Sequence, residues 1–121
     1  MSTRAQVRFA TRETGQSFNE HPDAIHAQFY KHHDGYPEGL GVDIAESIIN
    51  REALRSSWEI EHVQDTHGDL DYIYYIWSDY DKETFISIFK TNNFSDKDEE
   101  CIFVGAPEKL IEKYSQTKNE L

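Results

Sequence analysis

Alternation with a period of two dominates the first thirty residues. In the run Q-V-R-F-A-T-R, residues 6–12, Val7, Phe9 and Thr11 fall on one side and Gln6, Arg8, Ala10 and Arg12 on the other. That pattern predicts a half-buried strand. Residues 25–31 alternate again, with Ile25, Ala27 and Phe29 against His26, Gln28 and Tyr30. Residues 14–23 between them hold Gly15, Asn19 and Pro22 and read as a loop, so the two strands are expected to pair as a hairpin.

The period then changes. Leu40, Ile44, Ala45, Ile48, Ile49 and Ala53 recur at helical spacing and give one apolar stripe. Asp43 and Glu46 near the start of this helix, and Arg51 and Arg55 near its end, complement the helix dipole. Residues 60–63 are a short strand candidate. Residues 71–80 (D-Y-I-Y-Y-I-W-S-D-Y) are the most strand-like segment, dense in aromatic and β-branched side chains. After a short polar turn, residues 84–90 (T-F-I-S-I-F-K) return, and residues 60–90 are expected to form a three-stranded meander. Residues 92–100 read as an acidic loop and residues 101–104 as a short edge strand. Pro107 fits the first position of a last helix, with Leu110, Ile111 and Tyr114 on one face and Lys109 and Lys113 on another.

This order of elements predicts one α+β domain over residues 1–121, an antiparallel sheet of four to five strands with two helices on one face. The other face would carry Tyr, His, Gln and Arg side chains, which calls for a cover such as a ligand or a second copy.

Composition narrows the setting. No run reaches the roughly 20 apolar residues of a membrane span, and residues 1–5 lack the apolar core of a secretory signal. The single cysteine, Cys101, forms no intrachain disulfide framework and reads as a buried small hydrophobe. These features predict a cytoplasmic protein. The net charge of −11 is uneven: residues 1–55 hold six basic and eight acidic side chains, residues 56–121 six and fifteen. Broad phosphate neutralisation is excluded, so direct nucleic-acid binding is not expected. An acidic half of this kind steers a basic partner, and equally it keeps a small protein soluble.

Candidate chemistry concentrates in two places. Residues 32–39 (H-H-D-G-Y-P-E-G) hold two glycines and a proline that fix a backbone path, and His32, His33, Asp34 and Tyr36 crowd polar groups onto it. The same run also reads as a structural turn. The second place is built around the aromatic strands and the last helix. Phe85 offers a ring for stacking, Asn92 an amide for hydrogen bonding, and Lys109, Lys113 and Arg8 offer charge for phosphates. Lys109 and Lys113 equally form a solvated face with Glu108 and Glu112. Neither His32/His33/Asp34 nor His67/Asp69/Asp71 has a known zinc spacing, and no nucleophile motif is present, so no metal, cofactor or catalytic residue is expected.

The opening M-S-T-R-A-x-V-x-F and the later F-Y-x-H-x-D-G-Y-P-E-G, residues 1–9 and 29–39, resemble small proteins of bacterial viruses and their hosts. Size and layout are similar to the Thoeris anti-defence sponge family. The resemblance implies a non-catalytic protein, assembled from dimers, that sequesters cyclic ADP-ribose isomers or cyclic oligonucleotides. It implies a pocket at Phe85, Asn92, Lys109 and Lys113. Lysines stand where that family favours arginines, and a lysine does not form the bidentate phosphate contact of an arginine. Two other functions stay open: an acidic imitator of nucleic acid that inhibits a host defence protein, built on the runs at 79–83 and 96–100, and a hydrolase built on His32, His33 and Asp34.

Overall fold

The densest aromatic run of the chain, residues 72–77, lies in one of the two central strands of the sheet. The computed structural model describes residues 3–11, 22, 24–52, 58–65, 70–78, 83–91 and 100–119. Its elements are β1 (Ala5–Thr11), β2 (Ala24–Lys31), a π-helical turn (Pro37–Gly41), α1 (Val42–Asn50), β3 (Glu59–Glu61), β4 (Tyr72–Ser78), β5 (Thr84–Lys90), β6 (Glu100–Gly105) and α2 (Pro107–Asn119). The α+β class holds. The sheet has six strands in the order β3-β2-β1-β4-β5-β6 and is mixed, because β1 and β4 run parallel with Ala5 opposite Tyr72 and Phe9 opposite Ile76.

Two expectations are corrected here. The sheet is neither wholly antiparallel nor limited to five strands. Residues 59–61 do not begin a meander with the strands after them; they pair antiparallel with β2, Phe29 opposite Ile60, at the far edge. The meander is β4-β5-β6. A parallel neighbour requires a crossover, and the chain from β2 through α1 and β3 supplies it.

Side-chain alternation sorts two clusters onto the two faces. On the helix face Ala5, Val7, Tyr74, Ile76, Ile86 and Ile88 meet Leu40, Ile44, Ala45, Leu110 and Tyr114. At Gly41 a Cβ would sit at ordinary contact distance from Leu110, Tyr74 and Ile88, so the layer has room for a methyl there. On the opposite face Ala10, Tyr30, Leu70, Ile73, Tyr75, Trp77 and Phe89 form a second cluster. Tyr75 is 1% exposed and Trp77 4%, so this aromatic face is buried within one chain. No second copy is needed to cover it.

Bulges break the alternation at two points. Phe9 faces Ala27 while Ala10 faces Ile25, leaving His26 as the extra residue. Ile25 therefore joins the second cluster instead of following Ala27 and Phe29. Ile88 faces Phe103 and Phe89 faces Cys101, which leaves Ile102 as the extra residue of β6. Half-buried Cys101 packs on the second cluster, and its Sγ lies 3.6 Å from the Phe103 carbonyl oxygen. Among the described residues no helix is long and apolar enough to cross a membrane.

Candidate functional site

Arg8 projects from the inner strand β1 onto the face away from the helices, and its donors are committed there. Nε donates to Gln28 Oε1 at 2.9 Å, Nη1 to the Tyr75 hydroxyl at 2.7 Å and Nη2 to Gln6 Oε1 at 2.8 Å. Gln6 and Gln28 are fully buried and each donates onward to Glu61 Oε1 at 2.8 Å. Their Nε2 groups also reach the Asp65 carbonyl, which folds residues 61–65 over this part of the sheet. Arg8 is thus a structural hub, with three of its donors held inside the chain.

Phe85 lies on the same face. Its ring stacks on Trp77, 4.9 Å between centroids and 24° between planes, and Trp77 Nε1 donates to Ser87 Oγ at 2.8 Å. Lys109 and Lys113 belong to α2, on the other side of the sheet. Lys109 Nζ lies 3.6 Å from Glu112. Lys113 Nζ donates to the Ile102 carbonyl at 2.9 Å and sits over the rings of Phe103 and Tyr114. Within one chain the sheet separates Phe85 and Arg8 from both lysines. Asn92, like the runs 79–82 and 96–99 and residues His67 and Asp69, lies outside the described residues.

The histidine loop divides into two parts. Asp34 adopts a left-handed backbone (φ 58°), a conformation that aspartate tolerates better than most side chains. The next residue, Gly35, donates its N–H to Thr3 O at 2.9 Å and accepts from the Tyr74 hydroxyl at 2.6 Å. Tyr36 precedes the π-helical turn, and its ring lies against Gly39. Asp34 to Tyr36 therefore serve the turn that seats the helix layer.

His32 and His33 instead face a cavity of about 280 Å³, which they line with Tyr30, Lys31, Trp58 and Glu59. The cavity exists because β3 pairs with the end of β2: Tyr30 opposes Glu59, and Trp58 is carried in beside it. His32 packs edge-on to Tyr30, centroids 4.5 Å apart, and its Nε2 donates to Glu59 Oε1 at 3.1 Å. Trp58 packs on Phe29 at 5.4 Å. Its indole Nε1 is buried and has no hydrogen-bond partner among the described residues. That atom is closed to solvent, so Trp58 meets the cavity with its ring and not with its N–H.

Among the described residues no group of three or more His, Cys, Asp or Glu side chains is arranged to hold a metal ion. The sequence pattern located His32 and His33 but missed Trp58, Glu59, Tyr30 and Lys31 as their companions. The signal was present in W-E-I-E, residues 58–61, an alternation that begins before Ile60. Compared with known proteins, the chain matches no protein-family model, no curated protein and no solved structure.

Proposed function

We propose that this protein binds a small anionic nucleotide signal and sequesters it without cleaving it, as a counter-defence protein of a bacterial virus working in the host cytoplasm. The observation that carries the reading is the cavity at Trp58. Aromatic faces from Tyr30, His32, His33 and Trp58 suit a nucleobase. Lys31 and the imidazoles offer donors to a phosphate, and Glu59 accepts from an exocyclic amine. One lysine and two imidazoles around one carboxylate make this a locally uncharged to cationic spot on a chain of net charge −11. Its volume of about 280 Å³ lies just below the roughly 300–1,000 Å³ of ligand sites. It suits one nucleotide-sized part of a cyclic ADP-ribose isomer or cyclic oligonucleotide, with the rest of the ligand at the mouth.

The resemblance to the Thoeris sponges supports the ligand class and a homodimer or higher assembly. A pocket using both Phe85 and the α2 lysines would need two chains. The Trp58 cavity needs one. Native mass spectrometry with a panel of cyclic ADP-ribose isomers and cyclic oligonucleotides tests the reading. A defined mass gained per chain, released unchanged on denaturation and lost in His33→Ala, is the expected result. Conversion of the ligand, or no mass gained from any member, overturns it.

The net charge of −11 favours one second reading, an acidic inhibitor that engages a basic host defence protein. Inhibition of that kind weakens steeply as salt rises.

A further inference from the structure

We propose that the outer edge of β3 is a docking strand for an extended basic segment of a partner protein. β3 ends the sheet, with no described strand beyond it, so its outer edge presents backbone N–H and C=O groups to an added strand. On it stands Ile60, 75% exposed, against 41% for Ile49 and 38% for Tyr36. Glu59 and Glu61 flank it. Register places Ile60 beside Phe29 on the helix face, and Glu59 and Glu61 beside Tyr30 and Gln28 on the other.

A strand laid along this edge must repeat the same alternation. An apolar residue would meet Ile60, and its two neighbours would meet Glu59, whose carboxylate also lies against His32, and Glu61, whose Oε1 already accepts from Gln6 and Gln28. Opposite charges stabilise such cross-strand pairs and like charges oppose them. In a two-fold pairing centred on Ile60, a second copy would set Glu59 against Glu61 twice, with two chains of −11 brought together. A segment reading basic, apolar, basic fits instead. Short charged edges are a common protection against indiscriminate pairing. Protection explains the glutamates but not an isoleucine three-quarters exposed between them; a selective docking edge explains both.

The test uses the full chain and a labelled, end-capped peptide of alternating Lys and Val, seven residues long, followed by fluorescence anisotropy at fixed salt. The peptide is expected to bind, with Ile60→Lys and Glu59→Lys each weakening it about fivefold or more. Both side chains are exposed, so circular dichroism should be unchanged in either variant. N-methylation of alternate peptide amides should abolish binding in one of the two phases, because only one phase faces the edge. Equal binding of both N-methylated peptides reduces the contact to general charge attraction and overturns the proposal. So does equal binding of a Glu–Val peptide, or indifference to Glu59→Lys. A concentration-dependent dimer dissociated by Ile60→Lys would assign the edge to a second copy and likewise overturn it. None of these outcomes depends on whether the Trp58 cavity takes a nucleotide.

Discussion

Arg8 and Glu61 are joined through two parallel amides, Gln6 and Gln28, each accepting from the guanidinium and donating to the same carboxylate oxygen. The cation and the anion are spaced by aligned dipoles in a closed ring of hydrogen bonds. The ring ties β1, β2 and the end of β3 together on the face the helices do not cover. Breaking either arm leaves a buried donor and acceptor unmatched.

Gln28→Leu is therefore expected to lower unfolding stability by about 2–4 kcal/mol. Gln6→Leu should behave similarly. The double variant should lose less than the two losses added, by about 1 kcal/mol or more, since both arms serve one ring. Urea unfolding of the four proteins checks this. Strict additivity would show that the arms act independently.

Tyrosine ionisation sets an upper pH limit on the fold. Burial, the neighbouring phenols of Tyr72 and Tyr114, and Glu38 hold the Tyr74 hydroxyl well above its usual range. Burial and Glu38 push Tyr114 up to about 12. In both cases the folded chain keeps a proton that the unfolded chain releases near pH 10. Stability from these groups is whole below about pH 10 and is lost as pH rises toward and through about 12. Absorbance at 295 nm should show Tyr74 and Tyr114 ionising last and together with loss of structure. Tyr74→Phe should remove one late phenol and lower stability by about 1–2 kcal/mol, because the Gly35 carbonyl loses its donor.

Two glycines respond oppositely to the same added methyl. At Gly35 a Cβ would come within 2.8 Å of the Ala5 Cβ and 3.0 Å of the Thr3 carbonyl oxygen, both fixed by β1 and its approach. Gly35→Ala should lower stability by roughly 1–3 kcal/mol. At Gly41 the backbone is already helical (φ −59°) and the nearest atoms stand at 3.5 Å. Gly41→Ala should raise stability by about 0.5–1 kcal/mol. Thermal melts distinguish the two directions.

Trp58→Phe separates stability from binding. It removes a buried donor that no described residue satisfies, so unfolding stability should stay within about 1 kcal/mol of the parent. Ligand capture should weaken severalfold, because the smaller ring removes part of the aromatic surface that Trp58 gives the cavity. A loss of stability with unchanged capture would make Trp58 a packing residue only.

Local pattern carried the inner strands and both helices. The alternation of residues 71–78 and 84–90 defines β4 and β5, and the stripe from Leu40 to Ile48 defines the helix packed over them. What pattern could not convey was pairing between distant segments. The parallel approach of β1 to β4, and the antiparallel return of β3 to β2, depend on crossovers that leave no periodic signature. The bulge at His26 reverses the expected face of Ile25, and the bulge at Ile102 puts Cys101 on the face opposite Phe103, each by inserting one residue. For the site, loop composition led to His32 and His33. Ring type, charge and the family resemblance grouped Phe85 with Lys109 and Lys113, and within one chain the sheet stands between them.

The parallel contact of β1 with β4 also governs when the protein can fold. Arg8 meets Tyr75 across 67 residues of chain, so β1 waits on the ribosome with one edge unpaired until most of the polypeptide has emerged. The first hairpin can form early, but the apolar layer above it lacks Leu110 and Tyr114 until synthesis is nearly finished. Nascent chains stalled before α2 should accordingly be protease-sensitive, and separate fragments split between β3 and β4 should each lack a stable core and recover the fold only when mixed.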